Sequence, residues 1–380
     1  MRIGIPKEIT SNETRVAVVP SLVSGLIRQQ HEVMVERGAG ISSSFDDEQY
    51  VQAGARIADD ARSLYQQADI VFKVQPPGTE EAELLRESST YMGFLAPLAR
   101  MDIVKRFTTR RITSFSMEYV PRITRAQTMD ALSSMSTIAG YKAVLLAASH
   151  IGKIFPLMMT AAGTIPPTTV LVLGAGVAGL QAIATAKRLG AKVEAFDPRP
   201  AVREQVKSLG ATFIEMEMPE DVETAGGYAK ELSPEFLRKE QEAIGARFPK
   251  VDVVISTAQV FGKRAPILIT ADMVKLLRRD SVILDLAAEQ GGNCELTEAG
   301  KTVVKNAVAI IGAVNLPATV PVHASQMYAK NITNLFSHIY PKGSSTPNFE
   351  DEITKGSCIT HNGEIVNEHI KKAIQQEGIK

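Results

Sequence analysis

The chain has 380 residues, enough for two domains with sizeable cores. Hydrophobic residues make up 44% and charged residues 22%, the balance of an ordinary globular protein. Lys and Arg total 42, as do Asp and Glu, and a formal net charge of zero argues against a nucleic-acid partner. The two cysteines, Cys294 and Cys358, make neither a metal-ligand spacing nor a disulfide framework, which points to a reducing compartment. MRIGIPKEIT runs directly into a strand without the features of a secretory signal. The apolar run near Ala143–Ala148 is too short to span a bilayer, so a soluble chain is expected, with any membrane link made through a partner.

In chain order, short apolar strands are expected at Arg2–Ile5, Glu32–Val35, Ile70–Val74, Thr90–Phe94 and Ile112–Met117. Helical stretches lie between them, among them Ser21–Gln29, Asp60–Gln67 and Asp102–Phe107. That alternation implies a parallel sheet, Rossmann-like but without a glycine fingerprint. Lys73 ends one strand, where such sheets open toward a ligand crevice, and Arg15 in NETRVAVVP could reach the same place. Solvated surface charge is the alternative for both.

One long helix is expected over Gln127–Ser149, bridging two domains. Gln127, Asp130 and Ser133 recur every third residue and so share a face near its start. That polar row could hold a nicotinamide carboxamide or ribose; a capped helix start with a polar face is the alternative.

Thr168–Pro198 carries the strongest pattern. Val170–Leu173 reads as a buried parallel strand. Gly174, Gly176 and Gly179 follow in GxGxxG spacing, then a helix from Ala178 to Leu189 and a second strand, Lys192–Phe196, ending on Asp197. Gly174 permits the tight turn, Gly176 lets backbone approach a pyrophosphate, and Gly179 lets helix pack on strand. The helix N-terminus offers N–H groups to the phosphates. Asp197 stands about 20 residues on, where a carboxylate binds ribose hydroxyls and repels a 2′-phosphate. This favours NAD(H), while Arg199 keeps NADP(H) open. Further strands are expected at Val251–Ile255, Ser281–Leu286 and Val308–Ile311, with Ser256–Gln259 edging the nucleotide pocket.

Between Glu215 and Phe248 lies a long polar connection with Gly226-Gly227 as a candidate hinge and Tyr228 as a tip. It reads either as a mobile lid plus a helix or as a surface excursion. A helix through His323–Phe336 and a polar tail follow, and such tails often return to the first domain. The six histidines form no evident metal set, and no HExxH, GxSxG or P-loop occurs. No metal is expected.

These segments together closely resemble a known family. PRITRAQTMDALSS, MMTAAGTIPP, VLGAGVAGLQAIATAKRLGAKV, ETAGGYAKE and MRIGIPKE…ETRVAVVP resemble the NAD(H)-binding components of the proton-translocating NAD(P) transhydrogenases, across essentially the whole chain. Alanine dehydrogenases share several segments more loosely. The resemblance implies two Rossmann-like doubly wound α/β domains with a cleft between them, the first discontinuous: residues 1–129 with 315–380, and 130–314. It implies that Arg122, Ile123, Thr124, Gln127, Asp130, Leu132 and Ser133 hold the nicotinamide end, with Arg122, Gln127 and Asp130 nearest the chemistry. Ala175, Gly176 and Val177 would meet the pyrophosphate, and Asp197, Pro198 and Arg199 the adenosine ribose. Gly227 and Tyr228 would lie on a loop closing over the nucleotide, and Gln259 beyond a strand end. It further implies a homodimer, cytoplasmic and peripheral to the inner face of a membrane. Hydride would pass between NAD(H) here and NADP(H) on a partner component, coupled to proton movement through membrane-spanning components. With no membrane helix expected and an end at Lys380, the chain is similar to the split form of the alpha chain, and a fragment of a longer one would look the same.

The alternative is an alanine dehydrogenase-like oxidoreductase using Lys73 and Arg15. Phe94 in TYMGFLAPL stands where those enzymes carry a catalytic histidine, so the usual acid is missing. A noncatalytic NAD(H) sensor is the third possibility.

Overall fold

The computed structural model describes residues 1–216, 233–260 and 262–377. They fall into two compact units, Met1–Met135 with Ala318–Lys380, and Ser136–Pro317.

The first unit holds an eight-stranded sheet in the order Glu364–Ile365, Cys358–His361, Thr113–Ser116, Thr90–Gly93, Ile70–Phe72, Arg2–Ile5, Glu32–Glu36, Arg56–Ala58. The last six run parallel, and the Cys358–His361 strand joins antiparallel. Ile3, Ile5, Ile70, Val71 and Phe72 are wholly buried, as expected of central strands covered on both faces. The tail returns to this unit as an antiparallel hairpin, Cys358–His361 with Glu364–Ile365, which makes the unit discontinuous.

The second unit holds a seven-stranded sheet: Thr212–Phe213, Lys192–Phe196, Thr169–Leu173, Val253–Ser256, Val282–Asp285, Val308–Gly312, Thr302–Lys305. All pair in parallel except Thr302–Lys305. Both sheets show the doubly wound order, in which the third, second and first strands precede the fourth and fifth. One face of this sheet buries Val170, Val172, Ile255 and Leu284 against Ala143, Val144 and Ala147 of a helix.

That helix differs from expectation. In place of one helix from Gln127, a six-residue 3-10 turn, Thr124–Met129, is followed by Asp130 with an extended ψ of 90°, and the α-helix runs Ala131–His150. Asp130 causes the break: its carboxylate accepts from the Ser133 backbone N–H at 2.8 Å and from the Ser133 hydroxyl at 2.6 Å. A short acidic side chain competes in this way with the helical ladder. The helix has a mean hydropathy of 1.2 over its best 18 residues. It is long and apolar enough to cross a membrane, contrary to the expectation from its central run alone, although a core helix passes the same test. It supplies Ala143, Val144 and Ala147 to a core.

A separate two-stranded hairpin, Met158–Thr160 with Gly163–Ile165, is exposed along both strands. The long polar connection contains the helix Pro234–Gly245, capped by Ser233. Gly226, Gly227 and Tyr228 lie outside the described residues.

Candidate functional site: a dinucleotide turn and a polar turn

In the second unit the glycines meet the geometric demands set out for them. Gly174 has a φ of +90°, a conformation that L side chains avoid. A Cβ on Gly179 would stand 1.8 Å from the Gly174 carbonyl oxygen, so only glycine lets this helix lie against the turn. A Cβ on Gly176 would meet nothing nearer than the Arg199 guanidinium at 3.9 Å, which leaves open the space a pyrophosphate requires. The helix Val177–Arg188 starts from Gly176 with no side-chain cap, so its first N–H groups are left for an anion. Ala175 is buried and Val177 is 40% exposed. The turn sits at the point where strand order reverses, and Thr257 fixes it from the next strand by donating to the Gly174 carbonyl at 3.0 Å.

Asp197 is buried at the end of Lys192–Phe196. One oxygen accepts from the Ala175 N–H at 2.7 Å and from a terminal nitrogen of Arg199 at 2.8 Å. The other accepts from the Arg199 Nε and backbone N–H, both at 2.9 Å. The Arg199 charge is therefore matched by Asp197, so it does not present the pocket with an unbalanced cation for a 2′-phosphate. Pro198 is half-buried between them. Gln259 is exposed and donates to the Leu286 carbonyl at 2.8 Å.

Sequence reasoning missed two residues here. Glu240, on Pro234–Gly245, is only 3% exposed and makes no hydrogen bond among the described residues. Burial, reinforced by the nearby Asp197 charge, pushes its carboxyl up to about 7. Only its apolar neighbours Phe236 and Ile244, one turn away on either side, could have hinted at its burial. Asn293 accepts from the Ser256 hydroxyl at 2.7 Å and the Ala258 N–H at 3.1 Å, and donates to the Ala258 carbonyl at 2.8 Å. It thereby shapes the Ser256–Gln259 edge from far along the chain.

In the first unit, Gln127 and Thr124 on the 3-10 turn are exposed, as is Arg122 before it. Ile123, Asp130, Leu132 and Ser133 are half-buried. Asp130 and Ser133 are engaged with each other as a helix cap, and Gln127 stands one turn ahead of them.

Lys73 and Arg15 are not surface charges. Lys73 is wholly buried, its ammonium 2.6 Å from Glu81 and 3.2 Å from Glu8. Burial works to lower its pKa, but the Glu8 and Glu81 charges outweigh that, and it is held above the ordinary lysine value. Arg15 grips Glu13 through two nitrogens, at 2.8 and 2.6 Å. Burial would raise the Glu13 carboxyl, but these bonds bring it down to about 2. Phe94 packs on Tyr328, with ring centroids 5.4 Å apart. Among the described residues no group of His, Cys, Asp and Glu is arranged to hold a metal ion.

Comparison with known proteins divides the chain near the same point in the long helix, although the C-terminal family model also runs into the segment that returns to the first unit. The family description "Alanine dehydrogenase/PNT, N-terminal domain" matches residues 4–139 and its C-terminal counterpart matches residues 143–368. An NAD(P) transhydrogenase alpha-subunit chain of Rhodospirillum rubrum is 49% identical over 376 residues, covering 97% of this chain and 98% of that one. A transhydrogenase structure from Sinorhizobium meliloti superposes with a TM-score of 0.87 at 40% identity, covering 96% of this chain and all of the other. An L-alanine dehydrogenase structure superposes at 0.83 with 26% identity, over 99% of each chain.

Proposed function

This chain belongs to the alanine dehydrogenase/PNT family, on the side of the NAD(P) transhydrogenase alpha subunits, and on that premise we propose that it binds NAD(H) and exchanges hydride with NADP(H) held on a partner component. Membrane-spanning components couple the exchange to proton translocation. One observation carries the reading: an uncapped, glycine-lined pyrophosphate turn with Asp197 at the next strand end, in a chain that aligns along nearly its whole length with a transhydrogenase subunit.

Bound nicotinamide supplies the hydride-donating and hydride-accepting carbon. The chain's residues bind, orient and exclude water. The Gly176–Val177 N–H groups receive the pyrophosphate, and Asp197 selects a ribose bearing free hydroxyls. Gln127, aided by Arg122, orients the carboxamide, and Asp130 holds the start of the next helix. Ile123, Thr124, Leu132 and Ser133 line the same end, Pro198 and Arg199 the ribose end, and Gln259 the edge beyond a strand. No proton is exchanged at carbon, so this chemistry needs no general acid or base. That requirement suits a unit in which Lys73 is locked between two carboxylates and Phe94 packs at a tilt against Tyr328. An alanine dehydrogenase reaction would instead need a proton-transferring group facing the substrate.

The chain works as a homodimer, cytoplasmic and peripheral to the inner membrane face through its partners. The exposed hairpin supports self-association: Leu157 is 55% and Met159 77% exposed, and an isolated two-stranded hairpin has little stability alone.

The test is hydride transfer from NADH to NADP with the purified chain alone and then with membranes stripped of it. Transfer only in the mixture is expected. Turnover of an amino acid by the chain alone would replace this reading with the dehydrogenase. Gln127→Asn should slow transfer far more than it weakens NADH binding, and equal losses would remove the orienting role.

A further inference from the structure

The helix Pro321–Ile339 packs along the 3-10 turn Thr124–Met129 within the first unit. Six residues is long for a 3-10 turn, whose hydrogen bonds are poorly aligned and whose runs usually stop at three or four. Such a turn needs support from outside. Ala126 and Met129 are buried beneath it. Its Thr128 carbonyl accepts from the side-chain amides of two residues one turn apart on the packed helix: Asn331 at 2.9 Å and Asn334 at 3.2 Å.

Asn331 is a costly choice for that position. It is 5% exposed, and its carbonyl oxygen is buried without a partner among the described residues. A buried unsatisfied acceptor destabilises a fold, and an apolar side chain of similar size would not carry that burden. The Thr128 carbonyl would still keep Asn334. Packing alone therefore does not explain the amide.

We infer that Asn331 and Asn334 are positioning residues for hydride transfer: by clamping the Thr128 carbonyl they fix the exit of the turn, and with it the neighbouring Gln127 and the Asp130 cap. The inference rests on the reading of Gln127 as the residue that orients the nicotinamide carboxamide. Neither asparagine is assigned contact with the nucleotide. They act through the backbone of residue 128, and a backbone displacement there moves Gln127 directly.

The experiment compares Asn331→Leu, Asn331→Leu with Asn334→Ala, and Gln127→Asn in the complex reassembled on stripped membranes. Single-turnover transfer from NADH to NADP, NADH affinity and the melting temperature are measured for each. The double variant is expected to slow transfer about 10- to 100-fold, as small misplacements do, with NADH affinity changed less than about 3-fold. Asn331→Leu is expected to slow transfer less and to melt no lower than the parent. Normal transfer by the double variant beside slow transfer by Gln127→Asn overturns the clamp alone. Normal transfer by Gln127→Asn overturns the underlying reading and the clamp with it. A fall in melting temperature of Asn331→Leu, with rate and affinity falling together, assigns the pair to packing and overturns the inference.

Discussion

Glu240→Gln should stabilise the second unit at alkaline pH and do much less in acid. The carboxyl is buried, lacks a hydrogen bond among the described residues, and lies in the field of Asp197. Its pKa is about 7 against a reference of 4.5. The folded state thus holds this proton more tightly than the unfolded state. Between those two values stability falls as pH rises, and above pH 7 the full penalty applies. At 1.36 kcal/mol per unit, the shift corresponds to a penalty of about 3 kcal/mol. About 1 kcal/mol of that is felt at pH 5 and nearly all at pH 8, so the gap between variant and parent should widen by about 2 kcal/mol. For a unit of this size that is roughly 4–8 °C in melting temperature. Calorimetric melts of both proteins from pH 5 to pH 8 provide the assay. Gln has nearly the same volume, so packing is conserved and only ionisation is removed. Melting curves that stay parallel across this range would refute a buried, ionising Glu240.

Lys73→Met strips the ammonium from between Glu8 and Glu81 and should destabilise the first unit by about 3–5 kcal/mol at pH 8, the usual result of leaving buried charge uncompensated. The loss should shrink at pH 5, because burial raises the Glu8 carboxyl toward protonation, and denaturant titrations at the two pH values test that sign. Gly179→Ala would force a Cβ to within 1.8 Å of the Gly174 carbonyl, so NADH binding followed by fluorescence should fall at least about 100-fold, or the second unit should lose stability outright. Met159→Glu places a charge on the exposed hairpin and should shift sedimentation of the chain from dimer toward monomer; an unchanged profile would move the self-association surface elsewhere.

The dinucleotide turn was legible because its constraints are local. Gly174, Gly176 and Gly179 encode a positive φ, a clear approach and a close contact within six residues of chain. The central strands were legible for a similar reason: burial on both faces writes them as apolar runs. The strands Arg56–Ala58, Thr212–Phe213 and Thr302–Lys305 were not, since they lie at or beside sheet edges where exposed polar positions interrupt the apolar pattern. The start of the long helix was misplaced because spacing reports a shared face but not whether Asp130 turns its carboxylate back on its own backbone. The burial of Glu240 and the pairing of Lys73 were not legible, for a different reason. A glutamate or a lysine in sequence says nothing of the charge that will face it, and the partners Asp197, Glu8 and Glu81 are brought to them by the fold.

The two sheets share one strand order, yet among the described residues the open glycine turn occurs in one of them, and the difference lies in the few residues after two strands. In the second unit the chain leaves Thr169–Leu173 through Gly174 and enters a helix whose first turn carries no capping side chain. The reversal point there is lined by backbone N–H groups and by space. In the first unit the chain leaves Arg2–Ile5 through Pro6, Lys7 and Glu8, and the neighbouring strand Ile70–Phe72 ends on Lys73. Glu8 accepts the Val74 N–H at 2.6 Å and faces the Lys73 ammonium, so the equivalent point is filled by an ion pair between side chains. A phosphate arriving there would have to displace a carboxylate already bonded to both a buried ammonium and a backbone amide, and would meet Glu81 beside them. Topology provides a crevice in each unit. Glycine keeps it open in one, and buried charge closes it in the other, which is why the proposed NAD(H) site is placed in the second unit.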